Sequence, residues 1–409
     1  MIVHVRRSTA IQNTPLTEQA DMKVIKTKQD LAINGAAPAF EKPLHVGRPN
    51  MGDRETFLNY ANDIFDRRWF SNNGPCVQEL EKKLADHLQV KHCIAMCNGT
   101  IALEIAIRAL GLTGEVIVPS YTFIATAHAL QWQQITPVFA DINPQTHTLD
   151  PEAVRKMITP RTTGIIGVHL WGRPCDVDGL QQIADEHGLQ LMFDAAHAFS
   201  CSHQGKMIGN FGRCEVFSFH ATKFFNTFEG GMVATNDDEL AKQIRLMQNF
   251  GFSGVDNVIY PGTNGKMNEL SAAMGLTGLQ SIDQFMRSNQ QNYQRYQDGI
   301  TDIDGLQIID YNPQEKNNYQ YIVMEVSDRF PLSRDQLVDV LNAENILARK
   351  YFWPGCHNME PYHSLYPHAG LMLPKTKQLA DRVIVLPTGT ELELSNIDYI
   401  VNLMSTIRR

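Results

Sequence analysis

The 409-residue chain lacks any uninterrupted apolar run of the roughly 18 residues that a membrane-crossing helix needs, so no helical membrane span is expected. Its first thirty residues, MIVHVRRSTA IQNTPLTEQA DMKVIKTKQD, hold no apolar stretch of about 7–15 residues and do not read as a secretory signal. Excess positive charge is also missing: 36 Lys and Arg face 44 Asp and Glu, a net charge of -8. That balance argues against general nucleic-acid binding, although it allows one local basic pocket. The seven cysteines include no C-x-x-C pair, and an odd number cannot all pair within the chain. They read as small buried hydrophobes in a reducing cytoplasm. Cys93 and Cys97 are not followed by a second such pair, so no metal is expected.

What remains is the composition of an ordinary globular protein, 43% apolar and 20% charged. At this length a large core is available, in roughly two or three domains. Residues 1–29 are polar and aperiodic and read as a loose leader. From about Leu80, apolar stretches of strand length alternate with helical ones. The strand candidates are Glu115–Pro119, Pro137–Phe139, Gly164–Val168, Leu191–Phe193, Cys214–Phe219 and Met232–Ala234. The helix candidates are Phe123–Gln134, Pro151–Ile158 with Asp150 as its cap, Val177–His187 and Asp237–Asn249. This alternation predicts an α/β fold, a mostly parallel sheet between helices, over residues 30–288. After about Asn289 the texture becomes polar and mixed, and a smaller α/β domain is expected over 289–409.

Ligands of such sheets bind at the carboxyl ends of the strands. Four segments belong there. Asn98-Gly99-Thr100-Ile101 opens a helix, whose free N–H groups and positive dipole end suit a phosphate; a plain helix cap explains it as well. Asp194 directly follows the apolar LMF, with His197 three residues on; a buried cation facing Asp194 would make it functional, and a satisfied cap or core histidine would not. Lys223 lies in VFSFHATKFFNTFEGG. Apolar surroundings disfavour its charge, and an uncharged amine can attack a carbonyl to form a Schiff base. The plain alternative is a lysine that snorkels to water. The fourth segment, PGTNGKMNE, is a glycine-rich loop and unspecific alone.

Together with SNNGP, NGTIALEIAIRAL, PSYTFIATAHAL, FDAAHAFS, GTNGKMNELSAAMG, RKYFWPGCH and RVIVLP, these segments resemble the DegT/DnrJ/StrS family of sugar aminotransferases. The resemblance runs from about Gly35 to the C-terminus. It implies the aspartate-aminotransferase type of fold (fold type I) and pyridoxal 5'-phosphate as cofactor. By resemblance Lys223 carries the cofactor covalently, Asp194 pairs with its ring nitrogen and His197 approaches the ring or its hydroxyl. Phe123 stacks on the ring face, and Gly99, Thr100, Ile101 and Ser218 hold the phosphate. Asn264 reaches that phosphate from the neighbouring subunit of a homodimer with shared active sites. Trp69, Ser71, Asn73, His220, Asn226, Tyr351 and His357 occupy family positions near the sugar or nucleotide.

The implied reaction moves the amino group of L-glutamate to a nucleotide-linked keto-sugar. The residues around Lys223 look most like those of enzymes that aminate C4 of dTDP-4-keto-6-deoxyglucose to give dTDP-4-amino-4,6-dideoxyglucose. Amination at C3, or of a UDP- or GDP-linked sugar, is the near alternative. A sugar dehydratase of the same family carries histidine in place of the lysine, so Lys223 argues against it. A non-catalytic cofactor or sugar sensor should lack Asp194 or Lys223. A cysteine desulfurase needs an exposed thiolate, which no cysteine here is placed to supply.

Overall fold

The computed structural model describes Lys23 and residues 25–408; the leader expected over residues 1–29 falls largely outside them. Seven strands form the central sheet: β1 His92–Met96, β2 Glu115–Pro119, β3 Thr136–Ala140, β4 Thr162–Val168, β5 Gln190–Asp194, β6 Glu215–Ser218 and β7 Gly231–Thr235. Their spatial order is β1-β7-β6-β5-β4-β2-β3. Strand β7 runs antiparallel to both of its neighbours, and the other neighbouring pairs are parallel. All five residues of β2 (EVIVP) are buried, as a strand covered on both faces requires.

The sheet is covered by the crossover helices α1 Gly99–Ala109, α2 Ala125–Gln131, α3 Pro151–Met157 and α4 Val177–His187, and by α5 Asp238–Met247, which follows β7. Side chains placed before the first turn begin four of them. Asn98, Asp150, Asp176 and Asp237 each accept a backbone N–H from the first turn of their helix. The helix expected over 123–134 is shorter. Phe123 stays outside it with 57% of its surface exposed, and Gln134 has a left-handed backbone (φ 63) that ends the segment.

A second sheet, antiparallel and three-stranded, contains β8 Leu306–Ile308, β9 Ile322–Val326 and β10 Val383–Leu386 in that order. The long helix α6, Ile282–Ile300, runs unbroken past residue 289 and packs Tyr293, Tyr296 and Ile300 into the core around this sheet. Helix α7, Arg334–Ala343, adds Leu337 and Leu341. The chain near its N-terminus joins the same core through Ile25, Leu31 and Val46. Leu44–His45 pairs in parallel with Ile346–Leu347. The fully buried Glu344 anchors this strap. It accepts the N–H of Ala32 at 2.7 Å, the N–H of Ala39 at 2.8 Å and the Lys23 ammonium at 3.2 Å.

Candidate active site

The parallel strands end on chemistry. Strand β5 ends at Asp194, β6 at Ser218, and β2 leads into Thr122 and Phe123. Helix α1 starts beside them. A cavity of about 380 Å³ opens at this edge. Its wall includes Gly99, Thr100, Phe123, Asp194, His197, Ser218, His220 and Lys223, joined by Tyr321, Tyr351 and Phe352 from the C-terminal part of the chain.

Asp194 is buried. One carboxylate oxygen accepts the Thr126 hydroxyl at 2.8 Å and the other the Ala196 N–H at 3.1 Å. Burial pushes this carboxyl above the usual range, while Thr126, Ala196 and the Lys223 charge pull it back. Lys223 is partly buried on the cavity wall. Burial brings its ammonium down to about 8, and the Asp194 charge opposes the fall. At pH 7 about a tenth of such an amine is neutral, roughly 300-fold more than for a lysine in water. His197 is held well below the ordinary imidazole value, first by burial and then by the Lys223 charge.

Glycine at position 99 allows a close approach. A Cβ there would lie 2.9 Å from the Ser218 Cβ and 3.3 Å from its hydroxyl oxygen. A Cβ on Gly231, the first residue of β7, would lie 2.7 Å from the Gly99 nitrogen. The start of α1 is therefore pressed against the ends of β6 and β7. At this helix N-terminus the backbone N–H groups of Gly99 and Thr100 and the hydroxyls of Thr100 and Ser218 would form the cradle for an anion. The N–H of Ile101 is already engaged, since it donates to the Asn98 side chain at 2.8 Å.

The remaining residues singled out in the sequence lie elsewhere. Asn226 is buried and donates to the Asn50 carbonyl at 2.8 Å, tying down the chain before the first long helix. His357 is buried behind β2, with Nδ1 2.7 Å from the Ser120 hydroxyl, and burial lowers it to about 4. Neither lines the cavity. Trp69, 46% exposed, donates to the Ser71 carbonyl. Asn73 borders a separate recess with Arg245 and Lys266. Asn264 bridges to Asn249, away from the cavity wall of its own chain. Sequence reasoning missed Thr126, Trp171, Tyr321 and Phe352. Thr126 stood inside the quoted PSYTFIATAHAL, where its partner Asp194 was the signal, and Phe352 stood inside the quoted RKYFWPGCH; Trp171 and Tyr321 carried none.

All seven cysteines are free, and burial pushes the thiols of Cys201, Cys214 and Cys356 up to about 12, far from a thiolate. No group of three or more His, Cys, Asp or Glu side chains arranged for a metal occurs among the described residues. Nor is any described helix long and apolar enough to cross a membrane.

These features suit one phosphorylated aromatic aldehyde. The cradle takes a phosphate, the exposed Phe123 offers a ring face, Asp194 awaits a cationic nitrogen and Lys223 an aldehyde. Strand order and site together define a pyridoxal-phosphate enzyme of the aspartate-aminotransferase fold. Within that class the chain belongs to the DegT/DnrJ/EryC1/StrS aminotransferase family, whose model matches residues 52–405.

Individual relatives agree. The chain is 39% identical over 368 residues to the dTDP-4-amino-4,6-dideoxy-D-glucose transaminase of Shigella dysenteriae, covering 90% of this chain and 99% of the relative. A transaminase of the same description from Escherichia coli is 36% identical, covering 89% and 98%. Among solved structures, DesI in the presence of its TDP-sugar product superposes with a TM-score of 0.89 at 46% identity, covering 93% of this chain and 97% of that one.

Pyridoxal phosphate, when bound, supplies the aldehyde and the electron-withdrawing ring on which transamination depends. The chain's own residues do the rest. With the cofactor bound, the Asp194 carboxylate at the end of β5 would pair with the ring nitrogen and favour its protonated form. Lys223, whose ammonium is brought down to about 8, would carry the aldehyde and move the proton exchanged during amino transfer. Gly99, Thr100 and Ser218 would hold the phosphate.

Proposed function

We propose that this aminotransferase moves the amino group of L-glutamate to C4 of dTDP-4-keto-6-deoxyglucose and releases dTDP-4-amino-4,6-dideoxyglucose. The observation that carries the reading is Lys223, brought down to about 8 in the cavity it shares with Asp194. The substrate choice is supported by two curated relatives described as transaminases of that sugar and by the structural likeness to DesI. His220 and Tyr351, on the cavity wall, are assigned to the sugar nucleotide.

The active unit is a homodimer in the cytoplasm. Residues 289–409 act as its smaller domain and bring Tyr321 and Tyr351 to the cavity. Asn264 is exposed and does not line the cavity of its own chain, and Asn73 borders the same recess as Lys266 two residues on, with Trp69 and Ser71 close by in sequence. All four are assigned to the cavity of the second subunit.

Incubation with glutamate and a panel of nucleotide keto-sugars tests the substrate. Release of 2-oxoglutarate is expected with the dTDP-4-keto sugar; release with only a UDP- or GDP-sugar, or with a 3-keto sugar, defeats the choice. For the shared site, mixed dimers of Lys223→Ala and Asn264→Ala subunits should regain one working site. Verified mixed dimers without activity would refute that geometry.

A further inference from the structure

Three parts of the chain converge on the imidazole of His197. Just after β4, Trp171 has a left-handed backbone (φ 62), and its amide N–H points at Nδ1 from 3.3 Å. Just before β9, Tyr321 places its hydroxyl 3.2 Å from Nε2. The Trp171 and Phe352 rings stack along the imidazole, with centroids at 5.7 and 6.1 Å. All four side chains are buried.

A backbone N–H only donates, so Nδ1 must accept and carry no proton. The proton of the neutral ring is therefore on Nε2, directed at the Tyr321 oxygen. A cationic ring would set an Nδ1–H against the Trp171 N–H, donor against donor. The unusual turn that aims this N–H is itself pinned. The Trp171 indole donates to His147 Nδ1 at 3.3 Å, and His147 Nε2 reaches Glu325 on β9 at 3.0 Å. The Tyr311 hydroxyl donates to the Trp171 carbonyl at 3.0 Å.

We propose that Trp171 and Tyr321 are positioning residues: they lock His197 as the neutral Nε2–H tautomer and so reserve the Asp194 charge for a cationic ring nitrogen. The first half stands on the protein alone; the second rests on the proposed cofactor chemistry. A cation at His197 would be a competitor for Asp194 in the same cavity. Tyr321 belongs to the strand system of the C-terminal part, so this lock also makes the state of the histidine depend on how that part docks.

The test uses the full-length protein labelled with ¹⁵N-histidine, free and loaded with pyridoxal phosphate. Signals of His197 are assigned by their loss in His197→Gln. Near neutral pH the wild type is expected to show a protonated Nε2 and a bare Nδ1. In Tyr321→Phe the Nε2–H loses its acceptor, so the Nε2 signal should shift while Nδ1 stays bare, and kcat should fall about tenfold while the KM for glutamate stays within about twofold. A wild-type His197 protonated on Nδ1, or on both nitrogens, overturns the proposal. An unchanged His197 spectrum in Tyr321→Phe removes Tyr321 from it. If that variant does not fold, the wild-type spectrum decides alone. Correct tautomer signals in a protein that binds no pyridoxal phosphate would uphold the lock and sink the cofactor chemistry instead.

Discussion

Replacing Gly99 by alanine tests the anion cradle at its tightest point. The added methyl carbon would sit 2.9 Å from the Ser218 Cβ and 3.2 Å from its Cα. Carbon atoms prefer about 3.5–4.0 Å, so the start of α1 must retreat from β6 by roughly 0.7 Å. Overpacking of this kind costs about 1–3 kcal/mol. The retreat also widens the gap between the Gly99 and Thr100 N–H groups and the Ser218 hydroxyl, which must all reach one phosphate. Hydrogen bonds to a charged group contribute about 1.5–3 kcal/mol each, and weakening them by some 2 kcal/mol in total raises the Kd for pyridoxal phosphate about 30-fold. Cofactor-free protein is titrated with pyridoxal phosphate and followed by absorbance and tryptophan fluorescence. A parallel titration with pyridoxal, which has no phosphate, should show little difference between variant and wild type. Thermal melting of the cofactor-free variant confirms that the fold survives. If Gly99→Ala melts normally and binds pyridoxal phosphate within twofold of wild type, the phosphate does not sit where α1 meets β6.

Other consequences follow from the charges and from the strap. The rate of cofactor capture by Lys223 should rise about tenfold per pH unit and level off above about 8, because the protonated amine is blocked; a midpoint near 10.5 would show a solvated lysine. Asp194→Asn removes the charge that raises Lys223, so the same midpoint should move below about 8, and a move upwards would contradict the pairing. Thr126→Val deletes a donor that helps keep Asp194 ionised, so the acid limb of the kcat/KM profile should shift to higher pH with a stability loss of about 1–2 kcal/mol; an unmoved limb would show that Thr126 does not support the carboxylate. Glu344→Ala leaves the N–H groups of Ala32 and Ala39 without their acceptor, which should cost about 3 kcal/mol and open residues 23–46 to limited proteolysis; equal protection in variant and wild type would refute the anchor.

The parts of the fold that were legible in the sequence are those with local causes. EVIVP is a strand because its run of branched apolar residues is flanked by turn residues, and its bounds coincide with β2. Val177–His187 begins after an aspartate cap and ends at Gly188 in a left-handed conformation, again as the pattern foretold. Lys223 and Asp194 were legible for a related reason: a charged group inside an apolar run is locally costly, and here both line one cavity. Polar residues in less apolar surroundings gave no such signal. Asn226 and His357 look like binding groups in one dimension, yet their hydrogen bonds go to Asn50 and Ser120, more than a hundred residues away. Tyr321 shows the reverse, since nothing in NNYQY distinguishes a tyrosine that meets His197 across 124 positions.

This difference has a physical origin that bears on the site itself. Sequence patterns report what a residue does to its own segment, through propensity, capping and the cost of burial. The order of the strands decides which segments then meet, and here it brings the ends of β5 and β6, with the start of α1 beside them, to one edge. Chemistry that rests on one costly group, such as a lysine whose ammonium is destabilised by burial, therefore announces itself early. Chemistry that rests on the state of a partner, such as the proton on one nitrogen of His197, depends on Trp171 and Tyr321 arriving from two other places. Such second-rank groups are engaged with one another rather than with ligand, and their geometry appears only when the chain is folded.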